Sequence, residues 1–432
     1  MSDLVNPEVH QPEPQKVEGR WRSLFALAFS SVIDNSEGGL INNLFPLIRQ
    51  SFEMSLGALG VFTSISRFAR MLFGPLWAMA ADKFGRKKVL VFITGVWGIW
   101  TALAGLAQNY TQLVILYTIG TIGTVASEPI ANGILADLFD SKERGKAYGT
   151  IRSVTGLAGV ILIPLIGQLA NVENGWRIGM IIFGVMSVVS GVLISFFVKE
   201  PEEREGSLDE ASKNKFQLSK VPELLKNKTF LLLGGTLFLV TSLILFSYMV
   251  TFLVDVRGYA TDEANNIMAI FVLGWMVSSL VGGLLGDWVD KKSPTKGRIA
   301  LMQVYMALFA LVSFLAMQIP WSDVGMYIIW FVFGAIGSIG FSGCALPMLS
   351  NVVPPEMSGT AFSLLYSFLQ GLISAVYSLT VGFLAERYGL QKVMLWTITI
   401  PYALNVFYWF LLYKTYPKDL AANQAALAEA EE

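Results

Sequence analysis

Long apolar runs are the feature that most restricts the fold of this chain of 432 residues. A helix needs about 20 apolar residues to cross the hydrocarbon core of a bilayer. Twelve runs of this kind can be counted between polar breaks. They lie at residues 22–49, 56–81, 88–107, 111–138, 144–170, 176–199, 229–255, 263–287, 299–319, 324–350, 358–386 and 390–413. Charged residues make up only 15% of the chain, against about 25% in a soluble domain. The sequence therefore predicts an all-α membrane protein with twelve transmembrane helices.

One polar interruption, residues 200–228, is longer than the others and separates six predicted spans from six. It divides the chain into an N-terminal six-helix bundle at 22–199 and a C-terminal six-helix bundle at 229–413, with tails at 1–21 and 414–432. With the N-terminus inside, about 23 of the 31 Lys and Arg residues fall on the cytoplasmic side, as the positive-inside rule requires. Both tails and the linker are therefore predicted to be cytoplasmic, in a multi-pass protein of the plasma membrane.

Composition excludes several classes of function. A formal net charge of −1 leaves no basic surplus to neutralise nucleic-acid phosphates. Cys344 is the single cysteine, so no internal disulfide and no cysteine-built metal site is expected. His10, the single histidine, lies in the polar tail, so a histidine-ligated metal is excluded as well. We expect no cofactor and no catalytic set, and hence no enzyme. A receptor would need a larger soluble domain than the linker provides. We expect the protein to be a monomer.

A charged turn stands between the second and third predicted spans, in the stretch Gly74–Leu90. Its members are Asp82, Lys83, Gly85, Arg86 and Lys87. A related stretch, Gly282–Lys292, follows the eighth span and contains Gly283 and Asp287 at matching positions. Val352–Ser363 likewise matches Leu138–Gly149 between corresponding spans of the two halves. An internal repeat of this kind indicates a transporter with its site between the two bundles.

These residues resemble the loop signature of the major facilitator superfamily, and the resemblance covers essentially the whole chain. It implies two six-helix bundles that work by rocker-switch alternating access. In the family this motif latches the two halves on the cytoplasmic side when the transporter is open outward. Carried over, Asp82 accepts hydrogen bonds from a neighbouring helix end, and Arg86 pairs with a nearby acid. Ala78 stands at the first glycine of the signature, and Trp288 and Asp290 depart from it in the second copy.

Two shorter matches leave the sub-family open. Gly159–Gln168 partly matches an antiporter motif, which keeps proton-driven multidrug efflux as an alternative, although the fourth span lacks the arginine that many such exporters carry. An acid in the first span, Glu128 in the fourth and the run ILADLF after it resemble the spinster-type lysolipid transporters.

Six ionisable residues lie deep within the predicted spans, well away from the span ends, and all are in the N-terminal half: Asp34, Glu37, Arg67, Arg70, Glu128 and Arg152. Ionisable groups at such depth are expensive and are candidates for function by default. Counting about 1.5 Å of rise per residue puts acids and bases at matching depths. We therefore predict a two-rung ladder of ion pairs between the first two spans and a third pair between the fourth and fifth. The pairs either hold the bundle together or release one carboxylate, Asp34 or Glu128, to a proton or substrate.

The C-terminal half has no charge at comparable depth and offers aromatic and small polar groups instead. Its candidates for a cavity wall are Trp275, Tyr305, Tyr366, Gln370 and Tyr377, each of which could equally serve packing. A charged wall facing a neutral aromatic one suits an organic anion or an amphipathic, lysolipid-like solute. The sequence thus predicts a secondary active transporter for such a small molecule, working in the lipid bilayer with protons as the coupling ion.

Overall fold

A computed structural model describes residues 19–139, 141–199, 218–240 and 243–431, and within these ranges it contains helices and no strand. Most of the predicted N-terminal tail, including His10, and most of the predicted linker lie outside the described residues. The helices are α1 Arg20–Ser51, α2 Leu56–Phe84, α3 Arg86–Ala104, α4 Tyr110–Leu138, α5 Ser141–Gln168, α6 Gly175–Phe197, α7 in two segments Lys228–Thr236 and Leu243–Asp255, α8 Thr261–Lys292, α9 Gly297–Gln318, α10 Asp323–Val352, α11 Pro355–Tyr388 and α12 Leu390–Glu429. Ten helices of the described chain are long and apolar enough to cross a membrane.

The last helix, α12, continues through residues that the sequence assigned to the C-terminal tail. Its extension is held by side chains rather than left free. The Asp419 carboxylate accepts a hydrogen bond of 2.8 Å from the backbone N–H of Thr229, in the first turn of α7. Asn423 donates to the carbonyl of Asn351 at the end of α10. The extension therefore belongs to the C-terminal bundle.

The turn between α2 and α3 depends on a glycine. Gly85 has φ +95°, a backbone conformation that side-chain-bearing residues rarely adopt. Its N–H closes α2 on the carbonyl of Ala81 at 3.0 Å, and its own carbonyl accepts from Val89 at 3.2 Å. We call the end of the molecule that carries this turn the motif end. The end at which α1 passes into α2 is the opposite end.

The two halves meet mainly through α2 with α11 and α5 with α8. In α2, the Ser64 hydroxyl donates to the carbonyl of Ala375 in α11 at 2.6 Å. The Asn265 amide of α8 donates to the carbonyl of Asn43 in α1 at 3.1 Å. Nearer the opposite end, Arg49 and Asp255 form an ion pair of 2.5 Å. These contacts close the opposite end of the molecule.

Toward the motif end the halves separate. Going toward the motif end, Gly371 is the last glycine of α11 that lies close to α2. A Cβ added to Gly371 would lie 3.9 Å from Met71. Three residues further along α2, a Cβ on Gly74 would meet nothing within 4 Å. Hydrogen bonds between the halves are found toward the opposite end, on the other side of this level. The space between the bundles therefore opens toward the motif end.

Candidate functional site

A cavity of about 300 Å³ lies within the N-terminal half, between α1, α2, α3, α4 and α6. Four charged residues line it: Asp34, Glu37, Arg70 and Glu128. Hydroxyl groups of Ser31, Ser66, Thr101, Tyr117, Thr121, Thr124 and Ser127 complete its polar wall. One guanidinium and three carboxylates thus share one small space.

Local breaks in the helices create this space. Gly38 and Gly39 remove side chains from the face of α1 that lines the cavity, and a Cβ on Gly38 would meet nothing within 4 Å. Across the cavity, α4 loses regular helical pairing at Val125 and begins again at Ser127. Glu128 lies in the first turn of this second segment, where the backbone N–H groups favour a negative charge.

Glu37 is held by hydroxyl groups from two other helices. Thr101 of α3 donates a hydrogen bond to one carboxylate oxygen. Ser187 of α6 donates to the other oxygen at 2.5 Å. Gly98 and Gly184 allow this approach, because a Cβ on Gly98 would lie 2.4 Å from Ser187 and one on Gly184 would lie 2.7 Å from Ala102. Glu37 is therefore a fixed acceptor in the wall of the cavity.

Asp34 is less well satisfied. The Ser30 hydroxyl, one turn earlier in α1, donates to Asp34 Oδ2 over a long 3.4 Å. Asp34 Oδ1 is buried and has no hydrogen-bond partner. A buried polar atom without a partner costs roughly 1–3 kcal/mol. Asp34 is thus held by weaker hydrogen bonds than Glu37.

Two of the three predicted ion pairs, Asp34 with Arg70 and Glu128 with Arg152, are not formed in this conformation. Among the described residues, no carboxylate oxygen of Asp34, Glu37 or Glu128 lies within 4 Å of a guanidinium nitrogen of Arg70 or Arg152. Glu37 uses Thr101 and Ser187 instead. Depth along a helix fixes the height of a side chain but not the direction in which it points, and α1 turns its acids toward α3, α4 and α6.

The remaining intramembrane bases lie elsewhere. Arg67 and Arg152 are not among the residues that line the cavity. Arg152 is exposed on α5, and Arg67 is half-buried on α2. Arg70 is thus the single arginine of the predicted set that reaches the cavity wall described here.

The five C-terminal candidates do not line this cavity. Trp275 packs edge-on against Phe246, with ring centroids 4.9 Å apart, and Tyr305 is buried with its hydroxyl donating to the carbonyl of Gly337 at 2.8 Å. Tyr377 donates to the carbonyl of Phe238 at 3.0 Å. Tyr366 contacts Phe341 edge-on, and Gln370 is half-buried at a turn of α11.

At the motif end, Arg86 joins three helices. It donates to Asp137 of α4 at 2.5 Å and to the carbonyl of Gly133 at 3.2 Å, and it lies 3.8 Å from Asp82. Near it in the chain, Lys83 is exposed and Lys87 is half-buried. Gly283, in the second copy of the motif, has open space around it, because a Cβ added there would meet nothing within 4 Å.

Arg298, at the start of α9, plays the corresponding part in the C-terminal half. Its guanidinium donates to the carbonyl of Gly343 and lies 3.3 Å from Asp287 and 3.1 Å from Asp290. The sequence motif missed Arg298 because this residue lies beyond the stretch that repeats. It also missed Asp137, Thr101 and Ser187, since one acid near a helix end and hydroxyls in apolar spans carry no distinctive pattern.

The described residues contain no group of three His, Cys, Asp or Glu side chains that could hold a metal ion. Two helical bundles of membrane-spanning length and a polar cavity among the helices define the class: a multi-pass helical membrane protein. The family model described as Major Facilitator Superfamily matches residues 24–378. The chain belongs to this superfamily.

Curated relatives agree at low identity. The hexuronate transporter of Bacillus subtilis (strain 168) is 26% identical over 280 residues, which cover 63% of this chain and 65% of that protein. The alignment thus spans slightly less than two thirds of this relative's length. The cis,cis-muconate transport protein of Acinetobacter baylyi is 23% identical over 382 residues, covering 85% and 88%.

The fold is also that of solved transporters. A bacterial homologue of the human lysosomal transporter Spinster, in an inward-facing and unoccupied conformation, superimposes with a TM-score of 0.80 at 19% identity. The match covers 93% of this chain and 98% of that one. A D-xylose–proton symporter gives a TM-score of 0.70 at 14% identity, covering 90% and 97%.

Proposed function

We propose that this protein transports a small organic anion together with protons, by alternating access, and that the cavity in the N-terminal half holds the charged end of the substrate. The observation that carries the proposal is the meeting of Arg70 with three carboxylates in one cavity of about 300 Å³. The guanidinium supplies paired donors for a substrate carboxylate.

The charge count in the cavity supports coupling to protons. With all three acids ionised, Arg70 leaves a net charge of about −2, since one positive group faces three negative ones. An organic anion entering this space would be repelled at short range. Protons on the acids remove this repulsion, so substrate and protons favour each other's binding. Asp34 is the first group to consider, because a proton there removes a charge that few donors compensate.

The names of the relatives favour an acidic substrate. Hexuronate and cis,cis-muconate are both organic acids, and the proteins that bear these names share the superfamily of this chain. An anion fits a cavity with an arginine at its wall better than a large apolar drug does. The efflux alternative predicts a cavity with mainly aromatic walls, whereas the aromatic candidates of the C-terminal half are engaged in packing.

The distribution of basic residues supports an orientation of the protein in the membrane. The basic turn Lys83–Lys88 lies at the motif end, and the excess of Lys and Arg at that end favours the cytoplasm. With this orientation, in the plasma membrane, the space between the bundles opens inward and both termini are cytoplasmic.

The test compares two arginines in proteoliposomes, using uptake of labelled hexuronates and dicarboxylates. Arg70→Gln should weaken anion binding by about thirtyfold, the value of one charge-assisted contact. Arg152→Gln is the matched control, because it removes an arginine from a span that does not border the cavity. Equal uptake by both variants would contradict the proposal, and so would uptake of hydrophobic cations in place of anions.

A further inference from the structure

The charged turn at the motif end has a second copy at the opposite end of the molecule. Residues Ala81–Leu90 read ADKFGRKKVL, and residues Ala385–Met394 read AERYGLQKVM. Alanine, glycine, lysine and valine coincide, and Asp/Glu, Lys/Arg, Phe/Tyr and Leu/Met replace each other conservatively. The first stretch joins α2 to α3, and the second joins α11 to α12.

The two stretches have the same backbone conformation. Gly85 has φ +95° and ψ +131°, and Gly389 has φ +84° and ψ +140°. In each turn the glycine N–H donates at 3.0 Å to the alanine four residues earlier, and the glycine carbonyl accepts at 3.2 Å from the valine four residues later. A π-helical turn follows in both, at Val91–Val96 and Leu395–Thr399. The likeness therefore extends from sequence to geometry.

The acid of the second copy joins the two halves. Glu386, which corresponds to Asp82, accepts a hydrogen bond of 2.6 Å from the backbone N–H of Gly57. Gly57 lies in the first turn of α2, where N–H groups lack partners within the helix. Ser55, the residue that precedes this helix, makes no side-chain cap of its own. The start of α2 is thus capped by a carboxylate from the other half.

Close packing of glycines sets this distance. A Cβ on Gly60 would lie 2.7 Å from the carbonyl of Ser378, and one on Gly382 would lie 3.1 Å from the Cα of Gly57. A Cβ on Gly57 itself would lie 2.6 Å from the Glu386 carboxylate. The carboxylate reaches the helix end only while α2 and α11 are pressed together.

We propose that Glu386 is a latch for the opposite end, which holds α11 to the start of α2 while the space between the bundles is open toward the motif end. The contact is made in this conformation, whereas Asp82 lies at the separated end beside Arg86. Alternating access requires the halves to part at each end in turn, so the Glu386 contact must break once in every cycle. A carboxylate at a helix N-terminus suits this task, because its attraction falls off within one turn.

Spin-label distances across the opposite end test the latch in the purified, substrate-free protein. Labels at Leu106→Cys in the N-terminal half and Val324→Cys in the C-terminal half, in a Cys344→Ala background, report separation at that end. Glu386→Ala should raise the ratio of separated to closed molecules by about fivefold, as expected for one charge-assisted contact at a partly exposed helix end. Glu173→Ala, at an exposed acid of the same end, should leave the distances unchanged.

Two glycine variants, one expected to act and one control, test the same contact while leaving Glu386 in place. Gly57→Ala inserts a methyl group where Glu386 now lies and should also populate the separated form. Gly371→Ala, on the same pair of helices but with its nearest neighbour at 3.9 Å, should not. Unchanged distances in both Glu386→Ala and Gly57→Ala would overturn the proposal. Because no substrate is present, this outcome leaves the organic-anion proposal untouched.

Discussion

The N-terminal and C-terminal halves share one arrangement of six helices but differ in what surrounds several of their internal polar side chains. In the N-terminal half, Asp34 and Arg70 line a cavity, and one buried oxygen of Asp34 has no partner. In the C-terminal half, the hydroxyl groups of Tyr248, Tyr305 and Tyr377 each donate to a backbone carbonyl. These side chains of the first half face a cavity, whereas these three tyrosines of the second half bind backbone carbonyls within their own half.

This difference shows that a repeated fold does not require repeated function. Within the predicted spans of the C-terminal half, charged residues lie close to the span ends, and at the start of α9 Arg298 binds two carboxylates. We therefore expect charge removal to impair transport in the N-terminal half and stability in the C-terminal half. Four variants in three experiments test this division, and the experiments are given in decreasing order of the largest free energy that each involves.

Arg298→Met should have the largest effect, on stability. The side chain is only 6% exposed, and its loss leaves the Gly343 carbonyl and two carboxylates without their donor. We expect a cost of about 2 kcal/mol, because the Gly343 carbonyl loses a charge-assisted hydrogen bond, while Asp287 and Asp290, 71% and 32% exposed, remain in contact with water. Arg86→Met, in the N-terminal half, removes an arginine that is 30% exposed and should cost about 1 kcal/mol. Thermal unfolding in detergent measures both, and equal losses would break the comparison.

Asp34→Asn should affect transport and not stability. The amide keeps the size of the side chain but can no longer gain and lose a proton, so a pH gradient should stop driving accumulation. We expect gradient-driven uptake to fall by at least about tenfold, or about 1.4 kcal/mol. Substrate exchange across the membrane, which needs no net proton movement, should persist. Full accumulation by this variant would show that Asp34 is not the coupling group.

Tyr305→Phe should have the smallest effect. It removes one buried hydrogen bond to Gly337 and keeps the ring contacts with Phe309 and Tyr402. A loss of about 1 kcal/mol in unfolding free energy is expected, with anion uptake unchanged. A specific loss of uptake would place Tyr305 in the transport site and erase the contrast between the halves.

Sequence reasoning recovered the helices because a bilayer leaves few alternatives for an apolar segment of about 20 residues. It also singled out Asp34, Glu37, Arg70 and Glu128, which share one cavity, since ionisable groups in a membrane need polar surroundings.

The contacts of these residues were harder to predict. Glu37 binds Thr101 and Ser187 because glycines let α3 and α6 approach, and such rotation of helices about their axes depends on packing throughout the bundle. The copy of the charged turn at Ala385–Met394 was visible in the sequence, but only to a comparison of the chain with itself in all registers.

The meeting of Gly57, Gly60 and Gly382 has a thermal consequence. These residues bring backbone against backbone and have no side-chain rotamers to restrict. Closing this part of α2 on α11 therefore orders little that was previously mobile, and its entropy cost is small. Because the slope of a free-energy difference with temperature is set by the entropy difference, the conformational part of the free energy of this contact should change little with temperature.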